Sequence, residues 1–318
     1  MQFGLQYQRL GAPRTDRSVL VQPDWKLIPS ILRQNRSQLD ANSYQIHDIS
    51  VAHWARQARR HLIREAQQYT AGYQDVDEVD LSSELPALIL AGHQPQLFHP
   101  GVWIKNFALD RLARLSNGVG IQLVIDNDLC RWPGVRVPAG STEHVYHELV
   151  VMDRVGSQVA FEQRTIQDRQ QFDSFGQRLR EAVCSLIPEP MIDEFWPLAI
   201  DASQRTRNMG QCLAQARHTW ERERGLSTLE VPLSRVCEGE TFRNFVTHIV
   251  HRLPDFHSAY NESLADYRQV NRLRSRTHPV PNLTQRAGYL EIPFWLWSEG
   301  DPQRRPVCRV DRGPHCLP

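Results

Sequence analysis

Apolar residues recur in steps of three and four at Val51, Trp54, Ala58 and Leu62, the spacing that lines one face of a helix. A second helix is predicted over 25–34. Between 69 and 86 the pattern dissolves into turn formers and acids, which reads as a surface connection. From Pro86 a β-α-β unit follows. The continuous apolar run over 87–91 suits a buried parallel strand, Ile104, Phe107, Ala108, Arg111 and Leu112 keep helical spacing within 102–115, and 120–125 supplies a second strand. Asn117 and Gly118 offer the left-handed stop that ends such a helix. If the two strands are parallel neighbours, the crossover is right-handed and both end on one edge of the sheet.

Further along, 147–153 and 157–163 flank a short turn and predict a hairpin. Phe172, Phe175, Leu179, Val183 and Leu186 mark an amphipathic helix, and Met209, Leu213, Ala216 and Trp220 mark another. The stretch 227–236 is strand-like, with Pro232 confining it to an edge or an end. Phe242, Phe245, Ile249 and Leu253 predict a further helix. Asp255 is expected to cap the next, whose buried stripe is Phe256, Tyr260, Leu264 and Tyr267. The apolar strand 289–297 needs partners, yet 298–318 is rich in Pro, Arg and Gly and is expected to fray. That ending predicts a chain shorter than its relatives, by truncation or a change of frame. The pattern as a whole predicts an α/β fold, a parallel sheet with a largely helical second half.

Composition narrows the classes. The 318 residues are 41% hydrophobic and 23% charged, as in a globular protein. No apolar run approaches the roughly 20 residues of a membrane span, and the N-terminus lacks a secretory signal, so a cytoplasmic location without membrane association is expected. Six scattered cysteines without a Cys-x-x-Cys pair read as reduced structural thiols, not zinc ligands. A net charge of +1 gives no global attraction to nucleic acid. The expected partner is a small molecule, recognised locally.

Candidate chemistry gathers where the two strands end. Gly92 permits a tight turn, His93 titrates near neutrality, and Gln94 hydrogen-bonds in both senses. Gly101 opens a helix whose first amides attract anions, and Lys105 lies in its first turns. Carboxylates two apart in an extended segment point the same way, so Asp126 and Asp128 are candidates to hold a metal ion, an amine or a ribose, though Asp-Asn-Asp also forms Asx turns. No metal is assigned. Arg272, Arg274, Arg276 and His278 precede a Pro-rich loop; with extended spacing Arg274 and Arg276 share a face and clamp a phosphate or carboxylate, the alternative being a solvated basic face. His248 and His251 read as surface histidines. Glu230 and Ser234 occur without a Gly-x-Ser-x-Gly elbow, and neither a phosphate loop nor a Gly-x-Gly-x-x-Gly fingerprint is present.

The stretch "AGHQPQLFHPGVWIKNFALDRLA" resembles the first strand, turn and helix of the bacillithiol biosynthesis cysteine-adding enzyme family, with Gly92, His93, Gln94, Leu97, Phe98 and Trp103 matching by position and Asp126-Asn127-Asp128 standing where that family carries an acidic cluster. Pro100-Gly101 inverts the family's Gly-Pro order, Lys105 comes about two residues early, and the acidic cluster is shorter. The resemblance covers 85–133; "THPVPNL" and "EIPFWLW" resemble pieces of a related bacterial family. It implies a Rossmann-like core; the pattern along the chain places that core and its hairpin over 81–160, packed by a helical segment over 1–80 and followed by a mainly helical region over 161–297 that returns strands to it, with 298–318 as a frayed tail. The resemblance also implies a nucleotide-associated pocket and ligase chemistry that joins cysteine to a glucosaminyl malate. The family's long coiled coil has no heptad counterpart here. His93 and Gln94 carry over as pocket residues, followed by Lys105, Asp126 and Asp128. The expectation is a C–N bond-forming, ligase-like protein that binds a nucleotide or another anionic small molecule, with no nucleophile assigned. The alternatives are a non-catalytic or truncated paralogue that binds a ligand or partner, and a sugar-modifying enzyme.

Overall fold

The sheet forms where the apolar runs predict it. In the computed structural model, Leu88–His93 pairs parallel with Val119–Val124, which pairs parallel with Leu229–Pro232, so the middle strand in sequence is also the central one. The structure describes residues 7, 11, 13–46, 48–82, 84–97, 99–156, 158–286, 288–298, 301–310 and 313–316. They show a mixed helix and strand fold with a three-stranded parallel sheet. Pro232 is the last residue of an edge strand, as its missing N–H requires. Among the described residues no helix is long and apolar enough to cross a membrane.

The chain divides into two compact units, Ala52–Phe242 and Met1–Val51 combined with Arg243–Pro318. In this division the two ends of the chain share a unit. In the Ala52–Phe242 unit, the helix Val51–Ala71 buries Ile63 and Ala66 against Ile121, Leu229 and Val231 on one face of the sheet. The crossover helix Pro100–Leu115 lies against the central strand, where a side chain at Gly120 would meet Ala113 and Leu109. A second core joins Phe172, Phe175, Trp196, Met209 and Trp220 from the helices Arg169–Asp173, Phe175–Val183, Ile192–Arg205 and Met209–Glu223.

Three local expectations are corrected. Val145–Val151 pairs with the preceding Gly134–Gly140, not with 157–163, and Phe161–Gln163 is a single helical turn. Ser141 and His144 close that hairpin with two backbone hydrogen bonds of 3.1 Å beside Gly140 at φ 99°; no Asn-Gly signal marks it in the sequence. Asp255 lies inside the first turn of Leu253–Val270 and pairs with Arg252, and the buried residues of that helix are Leu253, His257 and Leu264, with Tyr267 exposed. The segment expected to fray forms the strand Asp301–Val310, antiparallel to Tyr289–Ser298, and Gly313–Cys316 pairs with it in turn. Ile249, Leu253 and Ile292 form the core of that unit.

Candidate functional site

All three parallel strands run to the same edge, where they end at His93, Val124 and Pro232. Gln94 Nε2 donates to Asp128 Oδ2 at 2.8 Å, and Ile125 N donates to His93 O at 2.9 Å. The two polar clusters read from the sequence therefore meet. The short helix Leu233–Cys237 that follows the third strand adds a residue that sequence reading set aside: Ser234 donates to Asp126 through its backbone N at 3.0 Å and through its hydroxyl. Asp126 is 4% exposed, and burial pushes its carboxyl pKa up while the bonds from Ser234 oppose the shift.

The details differ from the expectation in three ways. Gly92 is a strand residue opposite Leu123 and not a left-handed turn, and a side chain there would approach Ile125 Cδ1 at 3.1 Å. His93 Nδ1 lies 3.1 Å from Gln94 O. Asp126 and Asp128 have different protein partners. Asp126 ties the central strand to Ser234, while Asp128 binds Gln94 and accepts from Leu129 N at 2.8 Å. Among the described residues no group of three or more His, Cys, Asp or Glu side chains is placed to hold a metal ion.

The helix start at Gly101 is closed. His99 Nδ1 accepts from Gly101 N at 3.0 Å, and His99 O accepts from Val102 N at 2.8 Å and Trp103 N at 3.2 Å. Pro100 has no N–H to offer. An anion at Gly101 would have to displace this cap. Lys105 is exposed on the same helix. Arg274 and Arg276 belong to the other unit and are exposed, and the hydroxyl of Ser275, accepting from Thr277 N at 3.2 Å, bends the segment that the alternation argument took as extended.

Beyond Gln94 the chain enters the wall of a cavity of about 260 Å³, whose lining includes Pro95, Leu97, Trp103, Phe195, Arg217 and Trp220. Trp103 and Trp220 stack with ring centroids 4.8 Å apart and planes 6° apart. Arg217 is 5% exposed and is held by ion pairs to Glu230 and, at 3.4 Å, to Glu221. Glu221 Oε1 also accepts from Trp103 Nε1 at 2.7 Å and Asn106 Nδ2 at 2.6 Å. Glu230 Oε2 accepts from the Tyr73 hydroxyl at 3.3 Å, and that hydroxyl lies 2.6 Å from His218 Nδ1. Burial pushes the His218 pKa down to about 3, with the Arg217 charge adding to the effect, so His218 is neutral at pH 7. The cavity thus has apolar and aromatic walls, with Arg217 in its lining held from behind by Glu221 and Glu230.

Sequence reasoning missed Arg217, Glu221 and the buried role of Glu230. The helix of Arg217 and Glu221 was recognised from Met209, Leu213, Ala216 and Trp220, so the polar residues between them looked like its solvated side. The i,i+4 spacing of Arg217 and Glu221 marks them as a candidate pair, but that the core encloses it appears only in the fold.

A scan against models of protein families and a search of curated proteins both find no match to this chain.

Proposed function

We propose that Ala52–Phe242 is a Rossmann-like, cytoplasmic small-molecule-binding unit whose ligand is a nucleoside or a compound of that shape. One observation carries this reading: the aromatic-walled cavity is bounded by Pro95 and Leu97, directly after Gln94, at the carboxyl edge of a parallel sheet. Ligands of open α/β sheets sit at that edge, and apolar pockets with few polar groups suit planar rings. The base fills the cavity, and a ribose hydroxyl exchanges hydrogen bonds with Gln94 and Asp128. The capped helix start and the nearby carboxylates favour an uncharged ligand body over the anionic one first expected.

A relation to the cysteine-adding enzymes, with C–N bond-forming chemistry, is proposed on the resemblance around Gly92, His93 and Gln94. Binding has the better support. The Cys237 thiol is pushed up in pKa by burial, then by Asp126, Glu162 and Glu238, which leaves it a weak nucleophile.

Thermal-shift and calorimetric titrations with adenosine, uridine and cysteine test the reading. Adenosine or uridine is expected to raise Tm saturably in wild type, less in Gln94→Ala, and not at all in Leu97→Trp, which fills the cavity. A cooperatively folded wild type that responds to no nucleoside, or a Leu97→Trp variant that responds fully, would overturn it.

A further inference from the structure

The sequence singled out a basic segment that the nucleoside site does not use. Residues 267–290 contain five arginines and no Asp or Glu, in a chain whose net charge is only +1. A run of this kind is often a solvated face that pays nothing to be there. Here the loop is built in a way that a solvated face does not require.

Arg268, on the helix Leu253–Val270, spends its guanidinium inward on the loop's own backbone. It donates from Nε to His278 O at 3.0 Å, and from Nη2 to Arg276 O at 2.7 Å and Val280 O at 2.6 Å, with Nη1 reaching Asn282 Oδ1. Asn261 from the same helix holds the next residues, accepting from Leu283 N at 3.0 Å and donating to Leu283 O at 3.0 Å. The loop is therefore fixed from beneath, and the ordering entropy that a ligand would otherwise meet is already spent. Arg272 stacks over the Tyr7 ring, its guanidinium 5.7 Å from the centroid. Arg274, Arg276 and His278 remain exposed, and among the described residues neither Arg274 nor Arg276 has a carboxylate within 4.0 Å. Exposed guanidinium groups without counter-charges on a rigid loop are the equipment of phosphate recognition.

We infer that this braced loop is a second ligand site, which binds a soluble polyphosphate group through Arg274 and Arg276. The inference is independent of the nucleoside cavity, because a nucleoside carries no phosphate. A polyphosphate fits better than a nucleic-acid strand, since duplex and single-strand binders neutralise many phosphates along an extended basic surface, whereas this loop offers two arginines and a histidine on a nearly neutral chain.

The test is calorimetric titration of the full chain with inorganic tripolyphosphate, at low salt and again at 200 mM salt, in wild type, Arg274→Ala/Arg276→Ala and Arg268→Met. Sub-millimolar binding that weakens with salt, falls at least tenfold in the double variant and falls several-fold in Arg268→Met is expected. The last loss is diagnostic, because Arg268 acts through the loop and not as an exposed charge. Absence of binding to wild type, or undiminished binding to the folded double variant, would overturn the proposal. Tighter binding of a 20-nucleotide single strand than of tripolyphosphate would also overturn it and replace it with a nucleic-acid surface.

Discussion

Arg217 is enclosed with Glu221 and Glu230, which are 1% and 0% exposed. Removing the guanidinium leaves two buried carboxylates without their counter-charge, so Arg217→Met is expected to cost about 3–5 kcal/mol, the range for breaking a buried ion pair. Urea unfolding followed by tryptophan fluorescence measures it, and a loss below about 1 kcal/mol would mean that the pair is solvated. His218 makes a pH prediction at the same scale. Its folded pKa lies near 3, below the ordinary 6.5, so the unfolded chain takes up the proton first. The stability it contributes is complete above pH 6.5 and is lost as pH falls toward 3. The slope approaches about 1.4 kcal/mol per pH unit. Urea midpoints from pH 7 to pH 4 are expected to fall more steeply in wild type than in His218→Asn, and parallel curves would refute the assignment. Arg217 was not legible as buried, because an i,i+4 pair with Glu221 reads the same on a solvated helix as on an enclosed one, and the partners of His218, Tyr73 and Thr228, come from other elements.

At the scale of elements, the end of the crossover helix shows local signal and close approach acting together. Asn117 N donates to Arg114 O at 3.2 Å, Gly118 N donates to Ala113 O at 2.8 Å, and Asn117 takes φ 46°. These bonds satisfy carbonyls that the helix leaves open. Gly118 is needed for another reason: a Cβ there would lie 2.3 Å from Ala87 O. Gly118→Ala is expected to lose about 1–3 kcal/mol, read as a lower Tm, while Asn117→Gly stays near wild type. The helix Ile192–Arg205 was not recognised at all. Pro197 inside it breaks the usual helical signal, and Phe195, Trp196, Ala199 and Ala202 reveal their stripe only once the core around them is seen.

On the scale of the whole molecule, each hydrophobic cluster draws its buried residues from a single unit: two lie within Ala52–Phe242 and the third within the other unit. A fragment covering 52–242 is therefore expected to unfold cooperatively by itself and to keep any nucleoside response of the full chain. Circular dichroism melts with and without adenosine check this, and a fragment that lacks a cooperative transition would show that its cores depend on the remaining residues.

Spacing and stop signals alone determined the two strands and the helix between them, because they act over short distances in the chain; that the strands are parallel neighbours, and that Gln94 therefore meets Asp128, was conditional in the sequence and is supplied by the structure. The tertiary structure decided which partners those groups keep. His99 takes the amides meant for an anion, Ser234 takes Asp126, and the helix Met209–Glu223 delivers Arg217 to the cavity from more than a hundred residues beyond Gln94. A side chain's chemistry is written in its own position, but its burial and its counter-charge belong to the neighbours that folding supplies.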